Sequence, residues 1–180
     1  MRITRDNTIA VIVDIQERLF PHIYDNNQLR ENVTKLISGL QILQVPFILT
    51  EQYPKGLGKT IEPVAGLFCG VVPVEKLTFS CCDEPEFMGK VQASGRQNVL
   101  IAGIETHVCV LQTALDLKSA GFNPVVVVDC VSSRKPGDKE IALKRLQQEG
   151  ALFTSYESIL FELCQIAGTD EFKAISKLVK

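Results

Sequence analysis

Apolar residues along the chain form short continuous runs that alternate with stretches in which they recur every three or four positions. The recurring pattern predicts amphipathic helices over about 29–43, 106–120 and 136–150, and two short helices near the C-terminus. The continuous runs predict buried strands at 8–13, 46–50, 71–74, 98–103 and 124–128, with a weaker sixth strand at 151–154.

Continuous rather than alternating apolar strands are typical of a parallel sheet that helices cover on both faces. The sequence therefore predicts an α/β fold, a three-layer α/β/α arrangement with a central, mainly parallel six-stranded sheet. No repeat, low-complexity tract or linker interrupts the pattern, so we expect residues 1–180 to form a single domain. The long irregular stretch at 51–70 is rich in Gly, Pro and Lys, and such loops are usually functional or mobile.

Composition restricts the partners and the location that we expect. The hydrophobic fraction of 46% and the charged fraction of 22% are those of a globular protein. A net charge of -2 without a basic stripe gives no reason to expect nucleic acid. No apolar run reaches the ~18 residues of a membrane span, and the N-terminus lacks the apolar run of a secretory signal. We therefore expect a cytoplasmic protein without a membrane partner.

The six cysteines and two histidines suggest neither a disulfide framework nor a metal site. Disulfide frameworks belong to small secreted chains, and this sequence has no C-x-x-C motif. His22 and His107 are too few and too far apart for a histidine-built site. Cys81 and Cys82 are adjacent, and we interpret them as packing residues rather than a redox pair. No metal and no cofactor are expected.

Candidate chemistry comes from the ends of the predicted strands, where ligands bind in open parallel sheets. Asp14 follows the first strand, Lys76 the third, Cys109 the fourth and Asp129 the fifth. Position alone leaves ordinary alternatives open, because such an Asp is often a loop cap, a Lys is usually solvated and a Cys usually packs. If Thr106 caps the following helix, Cys109 lies in its first turn, where the amides, the helix dipole and a nearby Lys predict a lowered thiol pKa.

Three segments contain these candidate residues: Asp14-Ile-Gln16 followed by Phe20, Lys76 after a Val-rich strand, and the run GIETHVCV at 103–110. Together they resemble the isochorismatase-like cysteine hydrolases. The run TEQYPKGLG at 50–58 and the stretch 103–117 are most similar to the isochorismatase domain-containing subgroup. The resemblance spans nearly the whole chain, and it implies a Rossmann-type strand order and assembly as a homo-oligomer.

The resemblance also implies a Cys–Asp–Lys catalytic triad. Cys109 would be the nucleophile, Asp14 the proton acceptor and donor, and Lys76 the cation that stabilises and orients them. It implies a cis peptide bond between Ile104 and Glu105, with the backbone amides of Glu105 and Cys109 forming an oxyanion hole.

For the substrate pocket we expect Gln16, Phe20, Tyr53 and Phe79, although aromatic residues at such places are more often core. Glu105 would bind a cationic or donor group of the substrate, the alternative being a helix-dipole partner. Nicotinamidases of the family hold a metal through Asp and His residues, but the matching stretch 51–59 contains no His. Isochorismatases proper lack the nucleophilic cysteine, so Cys109 argues against isochorismate as the substrate.

These observations lead to one hypothesis and two rivals. The hypothesis is a metal-independent cysteine hydrolase of a small-molecule amide-type C–N bond, acting through a Cys109 thioester. The first rival is a catalytically idle binding or scaffolding protein that keeps the fold. A nucleotide-binding domain is the second, and the sequence Asp-Ile-Gln-Glu-Arg from Asp14 argues against it because it is no Gly-rich phosphate loop.

Overall fold

The computed structural model of the chain describes residues 2–180 and contains one six-stranded sheet. The strand order is β3-β2-β1-β4-β5-β6 and all neighbours pair in parallel, which confirms the predicted sheet and its Rossmann-type order. The strands are β1 (Thr8–Val13), β2 (Phe47–Gln52), β3 (Val74–Lys76), β4 (Asn98–Ile104), β5 (Asn123–Ser132) and β6 (Leu152–Thr154).

Helices cover both faces of the sheet, as the continuous apolar strands predict. Alternate residues of β1 enter the two separate cores, Ala10 and Ile12 on one face and Ile9 and Val11 on the other. The helices of the first face are α1 (Asn26–Ile42), α6 (Tyr156–Cys164) and α7 (Asp170–Val179), and those of the second are α3 (Pro85–Ala93), α4 (Leu111–Ser119) and α5 (Pro136–Gln148). None of the helices in residues 2–180 is both long and apolar enough to cross a bilayer.

Two strands differ from their predicted bounds in ways that affect the candidate site. The third strand was expected at 71–74, but β3 begins at Val74 and includes Lys76, because Val72 is 76% exposed and the intervening residue is a proline without an N–H donor. The fifth strand was expected to end at Val128, but β5 continues to Ser132 after a shift of its register against β4. Asp129 is therefore inside a strand rather than at its end.

Asp129 faces a part of the molecule away from the candidate site. Its carboxylate accepts a hydrogen bond from the backbone N–H of Tyr156 at 2.9 Å, and its carbonyl accepts one from the side chain of Asn32 at 2.8 Å. It lines a separate cavity of about 170 Å³ together with Lys139. The expectation that the fifth strand contributes Asp129 to the site is wrong.

The irregular stretch 51–70 is folded against the end of β1. It contains the last residues of β2, the short helix α2 (Pro54–Leu57) and a 3₁₀ turn, Ala65–Leu67. The buried amide of Gln16 donates to the carbonyl of Gly58 at 2.7 Å, and the N–H of Glu17 donates to the carbonyl of Lys59 at 2.9 Å. These bonds fix the loop over the carboxyl edge of the sheet, where the site lies.

We predict that Gly103→Ala destabilises the fold at this edge. Gly103 has a φ of 127°, and a Cβ there would overlap the backbone oxygen of Val13 in the neighbouring strand. Backbone strain and overlap together should lower the free energy of unfolding by about 3 kcal/mol, measured by chemical denaturation. The control is Gly89→Ala in α3, where a Cβ meets nothing within 4 Å and the helix should gain ~0.5–1 kcal/mol. Equal effects of the two substitutions would contradict the prediction.

Candidate active site

A buried ion pair between Asp14 and Lys76 lies at the carboxyl edge of the sheet. The two charged groups are 2.7 Å apart, and their side chains are 1% and 0% exposed. Asp14, just after β1, has a φ of 51°, and its second carboxylate oxygen accepts a hydrogen bond from Thr50 Oγ1 at 2.7 Å. Because β1, β2 and β3 are neighbours in the sheet, their ends bring Asp14, Thr50 and Lys76 together.

Lys76 has protein partners for its charge on several sides. Its Nζ donates to Asp14, to Gln52 Oε1 at 2.8 Å, and to the carbonyls of Thr78 and Phe79, each at 3.2 Å. Burial is the largest single effect and opposes the charged form, but the carboxylate of Asp14 and the neighbouring thiols of Cys81 and Cys109 together outweigh it and raise the pKa of Lys76 above its usual value. Lys76 is therefore a fixed ammonium at neutral pH.

Gln52 connects this ammonium to the thiol of Cys109. Its Oε1 accepts from Lys76 and, at 3.9 Å, from the Sγ of Cys109, while its Nε2 donates to the carbonyl of Leu77 at 2.8 Å. A flipped amide would turn its NH2 group toward the ammonium, so these partners fix its orientation. Gln52 was not predicted as a site residue from the sequence, although it follows Thr50 by two residues and pairs in register with Lys76.

Cys109 is buried in a π-helical turn, Thr106–Val110, that leads from β4 into α4. The expected cap by Thr106 is wrong, since no side chain caps this turn and Thr106 Oγ1 has no hydrogen-bond partner within residues 2–180. The expected lowering of the thiol pKa is wrong as well. Burial first, and then the charge of Asp14, raise the pKa of Cys109 well above its usual value, and the opposing effect of Lys76 is smaller.

Cys109 and Asp14 line one cavity of about 240 Å³. Gln52 also lines the cavity, while Lys76, which is bonded to both Asp14 and Gln52, does not line it. Glu105 and Arg134 form a charged pair in the lining. The remaining wall is apolar and consists of Leu19, Leu57, Phe79, Ile104 and Val108.

Three of the expected substrate-binding residues lie outside this cavity. Gln16 is completely buried, and its amide bonds the backbone of Gln52 and Gly58. Phe20 packs in the apolar core on the α1 face of the sheet, so its neighbour Leu19 contributes to the cavity wall instead. Tyr53 is half exposed and lines a separate surface groove with Lys55 and Glu75. Of the expected aromatic residues, only Phe79 lines the cavity.

Glu105 lines the cavity, but its carboxylate already has a protein partner. The backbone N–H of Arg134 donates to Oε2 at 2.9 Å, and Arg134 Nε donates to both oxygens at 3.1 and 3.2 Å. Arg134 is thus the cationic partner of Glu105 in this structure, and binding of a substrate group by Glu105 stays a prediction. The peptide bond between Ile104 and Glu105 is cis, and the oxyanion hole of the Glu105 and Cys109 amides stays a prediction.

The vicinal cysteines lie beside the ion pair and are not bonded to each other. Cys81 is completely buried, its Sγ is 3.9 Å from Thr50 Oγ1, and burial raises its thiol pKa to about 11. Burial also raises the pKa of Cys82 to about 12. All six cysteines are free. Within residues 2–180, no three His, Cys, Asp or Glu side chains are arranged as metal ligands.

Asp14→Asn is predicted to lower the pKa of Cys109. The substitution removes the negative charge that opposes the thiolate, and it leaves the thiolate as the nearest counter-ion for Lys76. Alkylation of Cys109 by iodoacetamide, followed by peptide mass spectrometry across pH, should therefore reach half its maximal rate at a lower pH. Asp170→Asn removes the same charge from the exposed start of α7 and should shift nothing. An unchanged or upward shift in Asp14→Asn would contradict this electrostatic picture.

Comparison with known proteins identifies the family. The Isochorismatase domain model matches residues 8–158. Isochorismatase domain-containing protein 2A of Mus musculus is 38% identical over 181 residues, which cover 99% of this chain and 85% of the mouse protein. These matches confirm the resemblance drawn from the sequence.

Solved structures agree with the fold. The MAR1 ribonuclease of Caenorhabditis elegans superimposes with a TM-score of 0.93 at 37% identity, covering 99% of this chain and 92% of that one. The YcaC gene product of Escherichia coli, described as an octameric hydrolase of unknown specificity, gives a TM-score of 0.93 at 24% identity, with 99% and 89% covered. The chain belongs to the isochorismatase family and has the fold of its hydrolases.

Proposed function

We propose that the protein is a metal-independent cysteine hydrolase that cleaves an amide-type C–N bond of a small molecule. The observation that carries the proposal is the shared cavity of Cys109 and Asp14, with the ammonium of Lys76 directly behind the carboxylate. A nucleophile, a proton acceptor and a fixed cation are the groups that covalent acyl transfer requires. In this proposal no cofactor takes part.

In the first half of the reaction, the protonated thiol transfers its proton to Asp14 as its sulfur attacks the carbonyl carbon. The raised pKa of Cys109 supports this order, because the resting thiol keeps its proton until the carboxylate takes it. The carbonyl oxygen becomes an oxyanion that the amides of Glu105 and Cys109 bind, and such donors contribute roughly 3–4 kcal/mol each. Asp14 then gives the proton to the leaving nitrogen, the C–N bond breaks, and an amine and a thioester remain.

In the second half, water hydrolyses the thioester. Asp14 is again a carboxylate at this stage. It takes one proton from the water molecule while the oxygen of that water attacks the thioester carbon. The C–S bond breaks and the proton returns to the sulfur, which restores the thiol and releases a carboxylic acid. Throughout both halves Lys76 stays charged, so it balances whichever of Asp14 and Cys109 carries the negative charge.

The size of the cavity supports a small-molecule substrate. At about 240 Å³ it is smaller than the ~300–1,000 Å³ pockets that hold drug-sized ligands. RNA hydrolysis, which the name of the C. elegans neighbour raises, finds no support in a chain with a net charge of -2. Self-association and a cytoplasmic location stay predictions for this chain.

Turnover of a panel of small amides tests the proposal against the idle scaffold. The native protein should release amine from at least one of them, and Cys109→Ala should lower kcat/KM by about 10³-fold or more. Asp14→Asn should lower kcat by about 10²–10⁴-fold because the proton acceptor is lost. Cys69→Ala, at an exposed thiol, is the matched control and should keep full activity.

Absence of turnover across the panel would favour the scaffold, and turnover that Cys109→Ala leaves unchanged would contradict Cys109 as the nucleophile. A short RNA included in the panel distinguishes the remaining case. If the protein cleaved that RNA and hydrolysed no amide, the proposed amide hydrolysis would be wrong and RNA hydrolysis would take its place.

A further inference from the structure

The side-chain ion pair in the cavity lining, Glu105 with Arg134, has no role in the proposed reaction steps. Its two members differ in exposure, since the side chain of Glu105 is 7% exposed and that of Arg134 is 58% exposed. A buried carboxylate thus holds a cation at the solvent edge of the cavity that contains Cys109.

Hydrogen bonds from both the backbone and the side chain of Arg134 hold this residue at the edge of the cavity. Glu105 accepts hydrogen bonds from the backbone N–H of Arg134 at 2.9 Å and from its Nε at 3.1 and 3.2 Å. The preceding residue is fixed as well, because the carbonyl of Ser133 accepts from the N–H of Tyr24 at 3.0 Å. A side chain held in this way loses little conformational entropy when it binds a ligand.

The terminal amino groups of Arg134 are the unused donors of the cavity. A guanidinium has five N–H donors, of which Glu105 accepts only the one on Nε, and Nη1 and Nη2 donate to no other group within residues 2–180. The other polar side chains of the lining, those of Asp14, Gln52 and Glu105, already have protein partners. The free edge of the guanidinium has the planar fork that binds a carboxylate through two parallel hydrogen bonds.

We propose that Nη1 and Nη2 of Arg134 bind a carboxylate of the substrate, so that the substrate is a small amide that also carries a carboxylate group. The inference rests on the proposed function, which makes this cavity the substrate site. In the bound molecule the amide carbonyl lies at Cys109 and the carboxylate at Arg134, with the apolar wall along the carbon chain between them. Since Glu105 already neutralises Arg134, selectivity comes from the two directed hydrogen bonds rather than from net charge.

Binding of matched ligand pairs to the Cys109→Ala protein tests the inference without turnover. The pairs are malonamate, succinamate and glutaramate, each compared with the diamide of the same chain length by NMR titration or calorimetry. At one chain length the carboxylate should bind about tenfold more tightly than its diamide, as expected for charge-assisted hydrogen bonds.

Variants at position 134 show whether this preference belongs to the guanidinium. Arg134→Gln in the Cys109→Ala protein should abolish the preference for the carboxylate. Arg134→Lys keeps a positive charge beside Glu105, which protects the fold, but lacks the planar fork, so the preference should fall at least severalfold. The matched control is Arg145→Gln, which removes an exposed arginine of α5 outside the cavity and should leave the preference unchanged.

The inference is overturned if no chain length shows a preference for the carboxylate, if neither ligand binds, or if the preference persists in both position-134 variants. These outcomes are independent of the proposed reaction. Amide turnover by the native protein would still support the proposed reaction if this binding preference were absent.

Discussion

The Asp14–Lys76 pair is the interaction on which the rest of the site depends. Two charges that are almost completely inaccessible to water lose several kcal/mol of hydration each, so they persist only where partners replace the lost water. Those partners come from β1, β2, β3 and the turn after β3, which makes the pair a consequence of the strand order β3-β2-β1. The strand order therefore determines where the carboxylate of Asp14 lies.

This pair also determines the state of the thiol. A nucleophilic cysteine is often activated by a cation that keeps it as a thiolate, but here the cation is already neutralised by Asp14. Burial and the charge of Asp14 raise the pKa of Cys109, so the resting site consists of a neutral thiol and an ionised carboxylate. In the proposed reaction, proton transfer between these two groups is therefore part of the attack on the substrate.

Much of the fold could be predicted from the sequence because parallel strands leave long apolar runs. The ends of the strands were harder to predict, since β3 is a short edge strand and β5 continues through a register shift that no residue pattern indicates. Lys76 and Asp14 were predicted as neighbours from the carboxyl-edge rule and from the resemblance, and the structure brings them together. The same rule placed Asp129 in the site wrongly, because the rule depends on knowing where a strand ends and β5 continues past Asp129.

The walls of the cavity were the least predictable part. Gln52 lies in the run at 50–58 but was given no role, and Arg134 lies in none of the resembling segments. The contacts of both residues join segments far apart in the sequence. Phe20 and Leu19 are adjacent in the chain, and only the path of the loop after β1 decides which of them packs in the core. The pKa of Cys109 could not be predicted from helix position alone, because burial and Asp14 outweigh Lys76.

The most direct test of the account is to trap the covalent intermediate on Cys109. Native protein is mixed with an excess of an amide that it hydrolyses, quenched rapidly in acid, digested and analysed by mass spectrometry. The account predicts that the peptide containing Cys109 gains the mass of the acyl group, and that hydroxylamine removes it. Full turnover with no acyl group on Cys109 at any quench time, or with the acyl group on another residue, would contradict it.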